Sequence, residues 1–142
     1  YTDWTIGHVH AGALGWVGLI TFGTIYALVP WLWKRKLHSN RLLEWHFWLA
    51  VLGALIYVMS MWNSGITQGL MWRTYDEAGN FSFAFIDTVI AMHPYYVSRA
   101  VGGLIYLIGA TLGAYNIWMT IRGGVASAEQ PDETLVAAQP AE

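Results

Sequence analysis

The sequence predicts an all-α integral membrane helical bundle: three transmembrane helices, plus a short interfacial helix. Three observations carry that prediction. Only 11% of the 142 residues are charged, against 56% hydrophobic, roughly half the charged share of an ordinary soluble domain. Asp, Glu, Lys and Arg are absent from three runs, 4–33, 45–72 and 100–121, each matching the roughly 20 residues a helix needs to cross hydrocarbon. The nine Trp and eight Tyr suit membrane–water boundaries, where an amphipathic ring sits well.

The elements follow in order. The first span, about 4–33, runs from Trp4 to Trp33 and stops at Lys34, Arg35 and Lys36. The second, about 43–72, ends at Trp72 before Arg73. Both exceed the minimum length, which permits tilt. "YDEAGN", 75–80, is a turn with Gly79-Asn80 as its breaker. "FSFAFIDTVIAM", 81–92, is too short to cross and carries Asp87. It reads as the helix in the interface, although Phe81, Phe83 and Phe85 alternate as a strand would. Pro94 suits the entry to the third span, about 97–121. After Arg122 the residues become small, polar and acidic, so 123–142 reads as a disordered cytoplasmic tail. The chain opens on Tyr1 inside a patterned segment, and is expected to be a piece of a longer polypeptide.

Charge sets direction and excludes partners. Four of the seven basic residues, Lys34, Arg35, Lys36 and Arg41, lie in the first connection, whereas the second mixes Arg73 with Asp76, Glu77 and Asp87. The positive-inside rule then places the first connection in the cytoplasm and the start of the first span outside. A net charge of −2 without a dense basic patch gives no reason to expect nucleic acid. Without cysteine the chain holds no disulfide, no thiolate metal site and no Cys-x-x-Cys-His haem attachment.

The informative motif is "GHVH", residues 7–10. Successive helix positions turn by about 100°, so His8 and His10 point about 200° apart at nearly one depth. They cannot share a metal ion, but each can serve a separate centre on its own side. Neutral imidazole is a good haem-iron ligand, and its second nitrogen needs a carbonyl, carboxylate or water acceptor. Gly7, Ala11, Gly12, Ala13 and Gly15 give the low walls that a flat macrocycle requires. Two haems flanking one helix would hold their irons on the order of 15 Å apart. The alternative is plain: a histidine near the end of a span can sit among headgroups or bond a neighbouring helix, and small residues also serve helix packing.

Beyond that motif, "YTDWTIGHVHAGALGW", "WLAVLGALIYVMSMWNSGITQGLMWRTYDEAGNF" and "AMHPYYVSRAVGGLIYLIGA" together resemble the C-terminal part of the catalytic subunit of cbb3-type cytochrome c oxidases, a branch of the haem–copper oxidase superfamily. The resemblance covers about residues 1–122. Nitric oxide reductases are the relatives most easily confused with it, and "QGLMWR" and "MHPYY" favour the oxidase. It implies an enzyme of the bacterial inner membrane that reduces O2 to water and couples this to proton translocation. Electrons would come from membrane-anchored c-type cytochrome subunits. The resemblance makes His8 the proximal ligand of a high-spin haem b facing copper, and His10 an axial ligand of a low-spin haem b. The copper ligands and the second ligand of the low-spin haem belong to the upstream part of the same subunit and match nothing here.

The depth of the other polar residues bears on their roles. Arg99 and His93 lie where haem propionates would be, and Arg99 suits a carboxylate better because a guanidinium pairs with it in a bidentate way. Snorkelling to the interface is the alternative for Arg99. Arg73 and Trp72 are weaker candidates. His38 and His46 read as boundary residues without a redox role. Asn63, Ser64, Thr67 and Gln68 form a polar patch that either holds waters or serves packing. Thr21, Thr24 and Tyr26 either belong to a proton path from inside or, for the threonines, bond their own backbone; no span carries an aligned carboxylate, so no proton route follows from the sequence. Two rival readings remain at this stage: nitric oxide reduction, and a structural or transport bundle without haem.

Overall fold

Uncharged segments of this length can satisfy their backbone polar groups in hydrocarbon only by coiling. The computed structural model does so three times. It describes residues 2–123; the tail expected to be disordered lies outside the described residues. The helices are α1 (Asp3–Trp33), α2 (Asn40–Trp72) and α3 (Phe85–Arg122), each long and apolar enough to cross a membrane. Among the described residues there is no strand, only an isolated antiparallel bridge between Tyr75 and Phe81.

The helix ends follow from capping. Lys34 stops α1 in a left-handed conformation, φ 50°, and the Arg35 N–H closes back onto the Pro30 carbonyl. Ser39 starts α2 by accepting the Leu42 N–H on its hydroxyl, so the helix begins at Asn40, three residues before the expected 43.

The third helix differs more. The sequence pattern predicts an interfacial helix over 81–92 separate from a span starting near 97, whereas Phe85–Arg122 is one helix with Pro94 inside it. Its start is set by Asp87, whose carboxylate accepts the Ala84 N–H at 2.9 Å. Thr88 and Met92, 2% and 0% exposed, keep the turns before Pro94 on the buried seam, and neighbouring helices make such a proline tolerable. At 1.5 Å per residue, 38 residues reach about 57 Å, well past the roughly 30 Å of hydrocarbon. The first turns of α3 therefore extend the span along its own axis.

Packing is closest between α2 and α3. A Cβ on Gly53 would stand 2.5 Å from the Tyr106 nitrogen, and one on Gly102 2.8 Å from the Tyr57 nitrogen. The two backbones touch there, as small residues in membrane helices allow. Below that crossing, Asn116 binds the connection between α1 and α2: its side chain accepts the Ser39 N–H at 3.0 Å and donates to the Ser39 carbonyl at 2.8 Å. Arg35 donates to the Ile121 carbonyl and Thr120 accepts the His38 N–H. These contacts gather the basic residues of the first connection and Arg122 at one end of the bundle. In contrast, α1 buries only Asp3 and Gly7; Trp16 and Trp31 are 74% and 73% exposed.

Candidate functional site

The site is built on the first three turns of α1, which are pinned to α2 by a buried acid. Asp3, 9% exposed, accepts the Ser64 hydroxyl at 2.7 Å and donates its own N–H to Gln68 Oε1 at 2.9 Å. Ser64 also reaches Met92 Sδ at 3.0 Å, so the cluster joins all three helices. At the next residue, Gly65 of α2 admits the α1 backbone: a Cβ there would overlap the Trp4 nitrogen and stand 2.6 Å from its Cα. Gly7 seats against Met61 and Trp62 in the same way. This fixes which side of α1 faces inward.

His8 and His10 flank that inward line. The His8 ring is exposed and stacks on Trp4, centroids 5.5 Å apart and planes 5° apart. Among the described residues it has no hydrogen-bond partner, so both its nitrogens are available. The His10 ring stacks on Tyr57 of α2 at 4.7 Å. Its Nδ1 lies 2.8 Å from the Ile6 carbonyl. A carbonyl can only accept, so Nδ1 carries the proton and Nε2 keeps a free lone pair. Just after the pair, α1 widens into a π-helical stretch, Ala11–Val17, a distortion common at functional sites. No group of three or more His, Cys, Asp or Glu residues among the described residues could hold a metal ion.

The other expected residues separate. Arg99 is half-buried on α3, its guanidinium 4.9 Å from the Tyr96 ring centroid and 3.7 Å from Met61 Sδ. It pairs with no carboxylate among the described residues. His93 is exposed and makes no such contact. In the polar patch, Ser64 and Gln68 serve the Asp3 cluster, while Asn63 and Thr67 bond carbonyls of their own helix. Thr24 likewise bonds the Ile20 carbonyl.

Three residues escaped the sequence reading. Asp3 stood just outside the uncharged run, and its position in a helix's first turn was the available signal. Trp62 buries its indole N–H without an acceptor among the described residues, beside Gly7, which no local pattern announces. His46, read by depth as a boundary residue, is 3% exposed and enclosed where the three helices meet, because Gly113 of α3 opens a seat for its ring.

Comparison with known proteins agrees with the motif. Residues 1–105 match the family described as cytochrome C and quinol oxidase polypeptide I. The chain is 59% identical to a bacteroid cytochrome c oxidase subunit 1 homolog of Bradyrhizobium diazoefficiens, over 100% of this chain and 25% of that protein. It is 54% identical to cytochrome c oxidase subunit 1 of Rhodobacter capsulatus, over 100% of this chain and 26% of the relative. With the cbb3-type cytochrome c oxidase subunit CcoN1 of Stutzerimonas stutzeri it shares 47% identity, over 98% of this chain and 28% of that subunit. The chain thus spans about a quarter of the length of the curated relatives it matches. A helical membrane bundle carrying GHVH on its first span, matched by this family over most of its length, belongs to the cytochrome c and quinol oxidase polypeptide I family.

Proposed function

We propose that this chain is the C-terminal part of the catalytic subunit of a cbb3-type terminal oxidase, with His10 ligating a low-spin haem b and His8 a high-spin haem b. The complete subunit reduces O2 to water with electrons from membrane-anchored c-type cytochromes and couples this to proton translocation. The observation that carries the reading is the state of the pair. His10 has its Nδ1–H committed to Ile6 and its Nε2 lone pair free, the arrangement that orients a metal-bound imidazole and raises its basicity. His8 offers a second imidazole on the opposite side of the same turns.

When bound, the two haems supply electron transfer and oxygen binding; the chain supplies position. The Asp3 cluster and the Gly65 contact hold the turns bearing both ligands against α2, and Trp4 and Tyr57 restrict rotation of the two rings. Arg99, without a carboxylate partner among the described residues, is a donor suited to a propionate carboxylate; His93 is a weaker candidate. Copper would be held by residues upstream of this segment. The basic end of the bundle faces the cytoplasm by the positive-inside rule, which puts the His8 end outside in the bacterial inner membrane.

Spectroscopy of the whole subunit in its complex tests the assignment. Replacing His10 with Ala should remove the six-coordinate low-spin haem signal and retain high-spin haem, and His8→Ala should do the reverse. Normal haem spectra in both variants would refute the ligand roles. A wild-type complex that reduced nitric oxide but not O2 would move the chain to the reductase branch, and one without haem absorbance would leave a transport or structural bundle.

A further inference from the structure

One face of α2 stays exposed at the basic end of the bundle. Arg41, Glu44, Trp45 and Trp48 follow the i, i+3, i+4, i+7 spacing that lines up along one side of a helix, and all four are exposed. They line a shallow groove of about 380 Å³. Trp45 and Trp48 are 56% and 64% exposed, and Leu52 and Leu55 continue the face at 48% and 56%. The other side of the same turns carries His46, Ala50, Gly53 and Ala54, all buried.

Residue size separates this face from those that meet protein. Where α2 meets α1 and α3, the close contacts fall at Gly53, Gly65 and Gly102, as small residues allow between membrane helices. On α1, Gly12, Gly15 and Gly23 stand open, since a Cβ on any of them would meet nothing within 4 Å. That helix keeps a small-residue surface on which further helices can pack. The face of α2 offers none: its exposed residues from Arg41 to Leu55 are all long or aromatic. Its polarity also changes in the order of a phospholipid. At 1.5 Å per residue, Trp45 lies about 6 Å beyond Arg41 and Leu55 about 15 Å beyond Trp45. These match the depth of a headgroup zone and one leaflet's share of roughly 30 Å of hydrocarbon.

The charges select the headgroup. Arg35 is committed to the Ile121 carbonyl and Arg122 lies over the Trp118 ring, whereas Arg41 and Glu44 make no hydrogen bond, ion pair or ring contact among the described residues. A basic residue preceding an acidic one is the weaker order for a pair within a helix, which leaves both side chains to face a ligand. A guanidinium matches a phosphate in a bidentate way, and a carboxylate accepts from an ammonium. A phosphate joined to a primary ammonium by an ethylene link presents both charges at the reach of helix neighbours about 5–6 Å apart at Cβ. A choline headgroup has no N–H to give Glu44, and a glycerol headgroup confronts that carboxylate with a net anion.

We propose that this face binds an ethanolamine phospholipid of the leaflet at the basic end, the cytoplasmic one by the positive-inside rule. Arg41 donates to its phosphate and Glu44 accepts from its ammonium. The indoles of Trp45 and Trp48 lie against the glycerol region, where amphipathic rings are at home, and Leu52 and Leu55 line the start of an acyl chain. The lipid site depends on the membrane bundle and not on haem ligation by His8 or His10.

The test uses the whole complex in vesicles with a phosphatidylethanolamine bearing a diazirine high on one acyl chain. Illumination should label α2 between Trp45 and Leu55. Unlabelled phosphatidylethanolamine should compete, and phosphatidylcholine or phosphatidylglycerol with the same chains should compete poorly. Arg41→Gln should weaken labelling on the order of five-fold, and Glu44→Gln should erase the preference for ethanolamine over glycerol. Absence of label between Trp45 and Leu55 would mean that protein covers the face, and overturns the proposal. Equal competition by the three lipids, or wild-type labelling and preference in both variants, overturns it as well. If a variant does not assemble, competition among the three headgroups on the wild-type complex decides.

Discussion

Replacing Gly65 with Ala tests the idea that backbone contact holds the ligand-bearing turns in place. In an isolated helix the substitution gains up to about 1 kcal/mol from helix propensity. Here the new Cβ would overlap the Trp4 nitrogen and lie 2.6 Å from the Trp4 Cα, against 3.4 Å for ordinary contact. The start of α1 must then retreat by at least about 0.8 Å, and by more at the Trp4 nitrogen, and backbone has no rotamer by which to give way. Overpacking of this kind costs about 1–3 kcal/mol, toward the upper end for a backbone clash, so the net change is a loss of about 1–2 kcal/mol. A shift near 1 Å can also cost about 100-fold in rate where it moves reacting groups. Gly69→Ala is the control on the same helix one turn later, where the new Cβ meets only Thr2 Cγ2 at 3.8 Å. Thermal unfolding of the purified complex and the low-spin haem spectrum are the measurements. Gly65→Ala should lower the midpoint and perturb the spectrum, whereas Gly69→Ala should leave both intact or raise the midpoint. Equal midpoints and identical spectra for the two variants would refute the contact argument.

Two further outcomes follow from hydrogen bonds outside the ligand turns. Asn116→Leu should strip the Ser39 N–H and carbonyl of their partners and destabilise the bundle by about 2–4 kcal/mol, read as a lower unfolding midpoint; an unchanged midpoint would mean water replaces the amide. In the connection between α2 and α3, Asp76 has its pKa lowered, first by the Asn80 backbone N–H and further by the Asn80 side chain and the Ala78 and Gly79 N–H groups. Because the folded pKa is the lower one, the turn's stabilisation is present above the ordinary carboxylate pKa and disappears as pH falls through the folded value. Hydrogen exchange at the Ala78 and Asn80 amides, corrected for intrinsic rates, should accelerate there, and protection that survived protonation would remove Asp76 from the role.

How much could be read in advance varied with the range of the forces involved. The lack of charge between Trp4 and Trp33 and between Trp45 and Trp72 located two helices to within a few residues, because desolvation of charge acts residue by residue. Ser39 and Asp87 moved the starts of α2 and α3 outward through single capping bonds. Pro94 misled more, since proline is a strong local boundary signal and its acceptance inside α3 depends on Thr88 and Met92 packing within the bundle.

The histidine pair shows the same division at the site itself. That His8 and His10 face opposite sides follows from helix pitch alone, and the 3.6-residue turn needs no partner to enforce it. Which nitrogen of His10 stays free came from its bond to Ile6, and which side of α1 faces inward came from Asp3, Gly65 and Ser64 meeting across 61 residues of chain. His46 marks the far end of that scale. Its local sequence reads as a membrane boundary, and only the glycine of a helix 67 positions away, Gly113, makes room to bury it. Periodicity and charge are properties of neighbours along the chain, whereas burial belongs to whichever surfaces the helices bring together.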